Sequence, residues 1–215
     1  VASSQEITTG SNLKLKLEAI NRSSVGMQLV SLTTLPDSKT FPQNKVLTTN
    51  GSNKIQLDLQ IPSETEYTQP YWLKETGTTG MYIVKEKKNI GIPDVIRETK
   101  VVFNIRIDEI EIPFERTIVY KYNDDVKGEM YNYLDVVPDV TTSIIDKVSL
   151  FRDTKMKYTA VKIKAGKDNV KGNLQLELPK SWKVLPTSIP FELEKKGSEQ
   201  TFYFEVTPPN SPEET

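Results

Sequence analysis

The side chains in this chain that could do chemistry are carboxylates, amines, hydroxyls and a few clustered aromatics, because its 215 residues include neither histidine nor cysteine. That composition leaves no Ser-His-Asp or Cys-His nucleophile system, no imidazole acid or base, and no ordinary zinc ligand set. Carboxylates, Lys, Tyr, Ser and Thr can still catalyse, for example as the paired carboxylates of a glycosidase. Asp108, Glu109 and Glu111 lie close in sequence, but alternate residues of a strand face opposite ways, and a glycosidase pair must flank a cleft at ~5–9 Å. A solvated hairpin end accounts for them better. Asn123-Asp124-Asp125 offers oxygen ligands for calcium, yet lacks the spaced acidic loop with a distal Glu. Such Asx-rich stretches more commonly form turns in which the side chains accept from nearby backbone N–H groups. No catalytic residue, metal site or cofactor is assigned.

The aromatics are the candidate binding residues. Tyr71 and Trp72 are adjacent, and Tyr131 stands two residues from Tyr133, on one face of a strand. Flat exposed rings of this kind stack on pyranose faces. A Trp in a β-sandwich more often fills the core because it buries so much apolar area, so Trp72 is expected mainly as a packing residue. Trp182, between Lys180-Ser181 and Val184, is expected to plug a sandwich end. The segment Gly77–Gly80 lacks the strand–turn–helix setting of a phosphate cradle, and no Gly-x-Ser-x-Gly nucleophile motif occurs.

The elements that must position these rings are strands. Leu13, Leu15, Leu17 and Ala19 alternate with polar residues, as do Ile55, Leu57, Leu59 and Ile61. Val101, Phe103, Ile105 and Ile107 lead through Asp108-Glu109 into Ile110, Ile112 and Phe114, and on to Ile118, Tyr120 and Tyr122, which predicts a hairpin. Pro113 marks its second arm as an edge or bulge. Later runs are Val161–Ala165, Leu174–Leu178, Phe191–Leu193 and Phe202–Val206. No apolar stripe of helical period appears, and 13 Pro and 10 Gly punctuate the strands. The expected fold is all-β: two immunoglobulin-like antiparallel β-sandwiches in tandem. Polar, turn-rich residues around 123–138 place the seam, giving a first sandwich over 1–128, a second over 129–209, and a tail or linker over 210–215. Residues 1–11 are polar and expected to be untethered. Residues 51–62 and 197–208 share a faint Gly-Ser, strand, Pro echo.

Charge restricts the partners. Twenty-eight basic against 29 acidic residues give a net charge of −1, and the short Lys85, Lys87, Lys88 cluster is broken by Glu86. Nothing there builds a nucleic-acid footprint. No apolar run approaches the ~20 residues of a membrane helix, so no membrane span is expected.

Two stretches carry a family resemblance. Gln69-Pro-Tyr-Trp-Leu73, Gly80-Met-Tyr-Ile-Val84, Ile90-Gly-Ile-Pro93 and Val119-Tyr-Lys-Tyr122 with Val126-Lys-Gly-Glu129 resemble the region after the catalytic domain in LmbE/PIG-L proteins. These are N-acetylglucosaminyl deacetylase-like proteins, many from Bacteroidetes. Gly172 through Trp182, then Pro186, Ile189-Pro-Phe191 and Lys196-Gly197 through Pro208, are similar to the NPCBM-associated sandwich domain found beside glycosidases. The matches span roughly residues 65–208. Asn123-Asp124-Asp125 departs from the family pattern, where an Asp-Pro step would stand. The resemblance implies a parent enzyme that hydrolyses N-acetyl groups on sugars with zinc held by a His-Pro-Asp-Asp motif and a later His-x-x-His element. This chain contains none of that motif. It implies instead a non-catalytic accessory region outside the cytoplasm, acting as spacer or docking module. Its partners would be an upstream catalytic domain of the same chain and a glycan met by Tyr71, Trp72 or Tyr131. A carbohydrate-binding module and an adhesin-like interaction domain are the alternatives.

Overall fold

A computed structural model describes residues 1–210; the expected tail at 210–215 lies, apart from Asn210, outside the described residues. The described residues are all-β apart from two short 3-10 turns, and the chain divides into two compact units, Val1–Val137 and Pro138–Thr215. Strands of the first unit are β1 (Glu6–Thr8), β2 (Asn12–Ala19), β3 (Met27–Leu35), β4 (Thr40–Leu47), β5 (Asn53–Gln60), β6 (Lys100–Ile107), β7 (Ile110–Thr117), β8 (Val119–Asp124), β9 (Gly128–Tyr133) and β10 (Asp135–Val137). The second unit holds β11 (Val140–Ile144), β12 (Lys157–Ala165), β13 (Val170–Leu174), β14 (Lys183–Leu185), β15 (Ile189–Leu193) and β16 (Glu199–Thr207).

The first unit is two layers. One is the antiparallel sheet β4-β3-β6-β7. The other joins the β2-β5 pair to the β8-β9 hairpin through Ala2, which bridges Leu15 on one side and Tyr120 on the other. The Ala2 and Ser3 amides donate to Val119 and Lys14 carbonyls at 2.7 and 3.0 Å. Residues 1–11, expected to be untethered, are therefore structural: Ala2, Ile7 and Thr8 are buried, and β1 pairs in parallel with β10. Their polar composition hid this because Ala and Ser are small enough to sit between two strands without extending the apolar pattern.

Alternation places Leu13, Leu15, Leu57 and Leu59 on the inner face, against Leu29, Leu32, Val101 and Ile105 of the facing sheet. Each fully buried Leu contributes roughly 1.5–3 kcal/mol by leaving water. A bulge between Leu29 and Ser31 shifts the β3 register, so that Leu29 faces Ile105 while Leu32 faces Phe103 and Thr34 faces Val101. Without that extra residue, Leu29 and Leu32 would point to opposite faces.

The expected β6-β7 hairpin is present, with Asp108 at φ 54 in its turn, and β7 is an edge strand carrying Pro113. Its second arm ends sooner than the periodicity suggests. At Ile118, itself buried, the chain leaves one sheet for the other, and β8 pairs only with β9 among the named strands. The 128/129 seam also needs correction. Asn123–Gly128 closes the β8-β9 hairpin inside the first unit, with Gly128 at φ 76, and Val136 of β10 pairs with Ile7. The units divide at Val137/Pro138 instead. Hairpin tips and linkers use the same polar residues, and only the long-range β1-β10 pairing tells them apart.

The second unit sets the sheet β11-β12-β16-β14 against the pair β13-β15, around Val161, Ile163, Leu174, Leu193 and Phe204. The echoed segments are not equivalent: β16 lies between β12 and β14, whereas β5 has β2 alone as its neighbour. Phe191 lies opposite Gly172, whose missing Cβ would come within 3.1 Å of the ring.

Candidate functional site

Three aromatic sites emerge, two in the first unit and one in the second. In the first unit, a long irregular connection, residues 61–99, runs between β5 and β6. Its 3-10 turn Tyr71–Leu73 follows Pro70, whose fixed φ starts the turn. Tyr71 and Trp72 meet edge to face, centroids 4.9 Å apart at 87°. The Tyr71 hydroxyl accepts from the Gly91 amide at 3.2 Å, tying the turn to the far end of the connection. Trp72 is half-buried yet belongs to neither hydrophobic core, which corrects the packing role expected for it. Its recorded ring contact is with the neighbouring Tyr71 in the loop.

Beside this turn lies a shallow polar hollow of about 420 Å³ bordered by Glu64, Glu66, Gln69, Lys74 and Glu75. Lys74 pairs with Glu66 and Lys85 with Glu75. Among the described residues, no cluster of three or more carboxylates is arranged to hold a metal ion.

The second site is the outer face of β9. Strand alternation turns Glu129, Tyr131 and Tyr133 outward while Met130 and Asn132 are partly covered. Tyr131 is 53% exposed. Lys121 stands directly opposite it on β8, with Nζ 5.9 Å from the ring centroid. Glu129 accepts from the Tyr131 hydroxyl and pairs with Lys121. That triad moves all three protonation equilibria. The Lys121 hydrogen bond, then the Tyr131 one, holds the Glu129 carboxyl below its usual range. Glu129, through its hydrogen bond first, raises both the Tyr131 phenol and the Lys121 amine. Each charged or hydrogen-bonded form is stabilised by the partner it would lose.

Tyr133 carries a cation as well. The Arg97 guanidinium lies 4.6 Å from its centroid, and Arg97 also donates from Nε to Asp135 at 3.3 Å and from Nη1 to Asp94 at 3.1 Å. A hydrogen bond from the Val95 amide, then the nearby guanidinium, depresses the Asp94 carboxyl. Both exposed tyrosines therefore have a cation over the ring. The structure does not unite the sequence candidates: no ring contact among the described residues links Tyr71 and Trp72 to Tyr131.

Sequence reasoning missed Lys121, Glu129 and Arg97. The first two were findable, because once Asp124–Gly128 is recognised as a hairpin turn, Lys121 falls opposite Tyr131. Arg97 comes from an irregular segment and left no periodic signal. Asp124 behaves as expected, accepting from Val126 and Lys127 amides at 2.9 and 2.7 Å.

In the second unit Trp182 joins the core margin as expected, with Phe151 edge-on at 5.1 Å and 82°. The two rings border a cavity of about 420 Å³.

No protein-family model, characterised protein or solved structure matches this chain.

Proposed function

We propose that the chain is a non-catalytic accessory region built of two immunoglobulin-like β-sandwiches in tandem, acting as a docking and spacing module of a larger extracytoplasmic, deacetylase-like protein. The observation that carries the docking role is the 61–99 connection. It is stitched internally by the Tyr71–Gly91 and Thr78–Met81 hydrogen bonds and anchored by Thr68 to Val136. Yet it displays Tyr67, Leu73, Met81, Tyr82, Ile83 and Ile90 to solvent, with Met81 71% and Ile90 64% exposed. Apolar surface gathered on one ordered loop is the signature of a protein–protein contact. The partner that the family resemblance supplies is an upstream catalytic domain of the same polypeptide.

Two measurements test this reading. The parent reading frame should encode an upstream domain with the His-Pro-Asp-Asp motif; an unrelated upstream sequence sinks the family assignment. That domain, produced separately, should bind this chain and lose binding on combined Met81→Asp and Ile90→Asp exchange, with the thermal melt unchanged. Binding that survives the exchange overturns the loop as docking surface.

Glycan recognition is the second reading, and Tyr131 and Tyr133 on the outer face of β9 favour it. Saturable glycan binding lost in Tyr131→Ala would establish it, and a glycan array without signal would remove it.

A further inference from the structure

Residues 145–156, between β11 and β12 of the second unit, form an irregular connection held at both ends and apolar in its middle. The Ile145 amide donates to the Ala160 carbonyl at 2.9 Å. At the other end the Lys157 amine donates to the Leu150 carbonyl and lies 5.1 Å from the Phe151 ring centroid. Phe151 itself meets Trp182 edge to face and joins the margin of the core. Its neighbours do the opposite. Val148 is 78% and Leu150 73% exposed, with Ile144 and Ile145 exposed beside them. Apolar side chains gathered in water on an anchored loop mark a contact surface.

Charge identifies the partner. Residues 176–182 border the same open hollow as this loop, so the two segments are neighbours. Over 144–157 and 175–183 the chain carries six basic residues, Lys147, Arg152, Lys155, Lys157, Lys180 and Lys183. Against them stand Asp146, Asp153 and Glu177, a surplus of three positive charges in a chain whose net charge is −1. All but Arg152 of the six are lysine, a residue depleted in protein–protein interfaces. Lysine suits a lipid surface, because its stem lies along apolar groups while the ammonium stays among phosphates. Lys147 and Arg152 bracket Val148 and Leu150 in sequence, so apolar tips and cations reach a surface together.

We propose that this loop of the second unit docks on an anionic lipid bilayer. Val148 and Leu150 enter the boundary between headgroups and acyl chains, and the surrounding cations meet lipid phosphates. The contact is peripheral and reversible, since few apolar groups insert. It is separate from the docking surface on the 61–99 connection of the first unit.

The test mixes the full chain with vesicles of phosphatidylcholine, alone or with about one part in three of phosphatidylglycerol, and reads the bound fraction by co-sedimentation. Binding to the anionic vesicles should exceed binding to the neutral ones about tenfold or more, and should fall with added salt, which screens exposed charges. Combined Val148→Asp and Leu150→Asp exchange should weaken it about tenfold or more. The thermal melt should not move, because both side chains already face water. Val148→Ser with Leu150→Ser serves the same purpose if the first variant does not fold. The chain has no cysteine, so Ser149→Cys carries a single environment-sensitive dye, whose emission should shift to the blue on anionic vesicles. Combined Met81→Asp and Ile90→Asp exchange, on the first unit's loop, should leave vesicle binding intact. Absence of binding to anionic vesicles, equal binding to both kinds, or unchanged binding in a folded Val148 and Leu150 variant overturns the proposal. Loss of binding in the folded Met81 and Ile90 variant places the contact elsewhere and overturns it as well.

Discussion

The Arg97 guanidinium lies 4.6 Å from the centroid of the Tyr133 ring, joining an irregular connection to the outer face of a strand. Arg97 is only 14% exposed at its side chain, and it meets Asp94 and Asp135 as well as the ring. Its planar fork can serve all three at once, which an ammonium cannot.

Arg97→Ala should accordingly destabilise the first unit by ~1–3 kcal/mol, the range for a partly desolvated cation–π contact combined with charged hydrogen bonds. Arg97→Lys should recover less than half of the loss. Urea denaturation reads both, and full recovery by lysine would show that point charge alone matters there.

Tyr131 should titrate above an ordinary phenol because its hydroxyl donates to the Glu129 carboxylate. In Glu129→Gln the acceptor charge is gone, so the phenol should ionise at lower pH. Ultraviolet titration of the tyrosinate band, compared with Tyr131→Phe, isolates the group. An unchanged Tyr131 titration would mean that the triad does not persist in solution.

Asp124 sets an acid limit on the β8-β9 hairpin. Hydrogen bonds from the Lys127 and Val126 amides depress its folded pKa, so unfolding takes up a proton in that range. Its contribution is therefore present above the unfolded value of ~3.9 and is lost as pH falls through the lower folded value. Amide exchange at Val126 and Lys127 should accelerate across that interval. Asp124→Asn, which keeps an acceptor oxygen but cannot titrate, should flatten the acid dependence. A variant with the same acid profile as the parent would place the effect elsewhere.

Phe204 is fully buried at the centre of the second unit, opposite Thr159 on β12. Phe204→Ala should cost ~3–5 kcal/mol, the transfer of the ring plus the void it leaves. In the Trp72→Phe background, loss of the Trp182 fluorescence signal at lower urea measures it. A cost under ~1 kcal/mol would mean that the core collapses into the space.

Alternation alone made Leu13–Ala19, Ile55–Ile61 and Val161–Ala165 readable as strands with one inward face, because a strand's side chains must alternate whatever surrounds them. The same rule was blind to Ile110, Ile112 and Phe114, which keep the apolar phase on β7 yet stay exposed. Periodicity reports which side chains share a face. It does not report whether an opposing layer covers that face.

The candidate site divides along the same line. Residue order was enough to read an all-β chain without histidine or cysteine, a hairpin turning at Asp108-Glu109, an Asx turn at Asp124, and Trp182 at a core margin. These depend on local backbone preference and on residue type, which neighbours in sequence suffice to fix. Tertiary structure alone decided that Ala2 bridges two strands, that the first unit runs to Val137, that Trp72 meets Tyr71 in a loop, and that Arg97 covers Tyr133. Apart from the Tyr71–Trp72 pair, each of those joins residues far apart along the chain. Such pairings form only when loop closure is offset by burial across the whole unit, and no short window of sequence contains that balance.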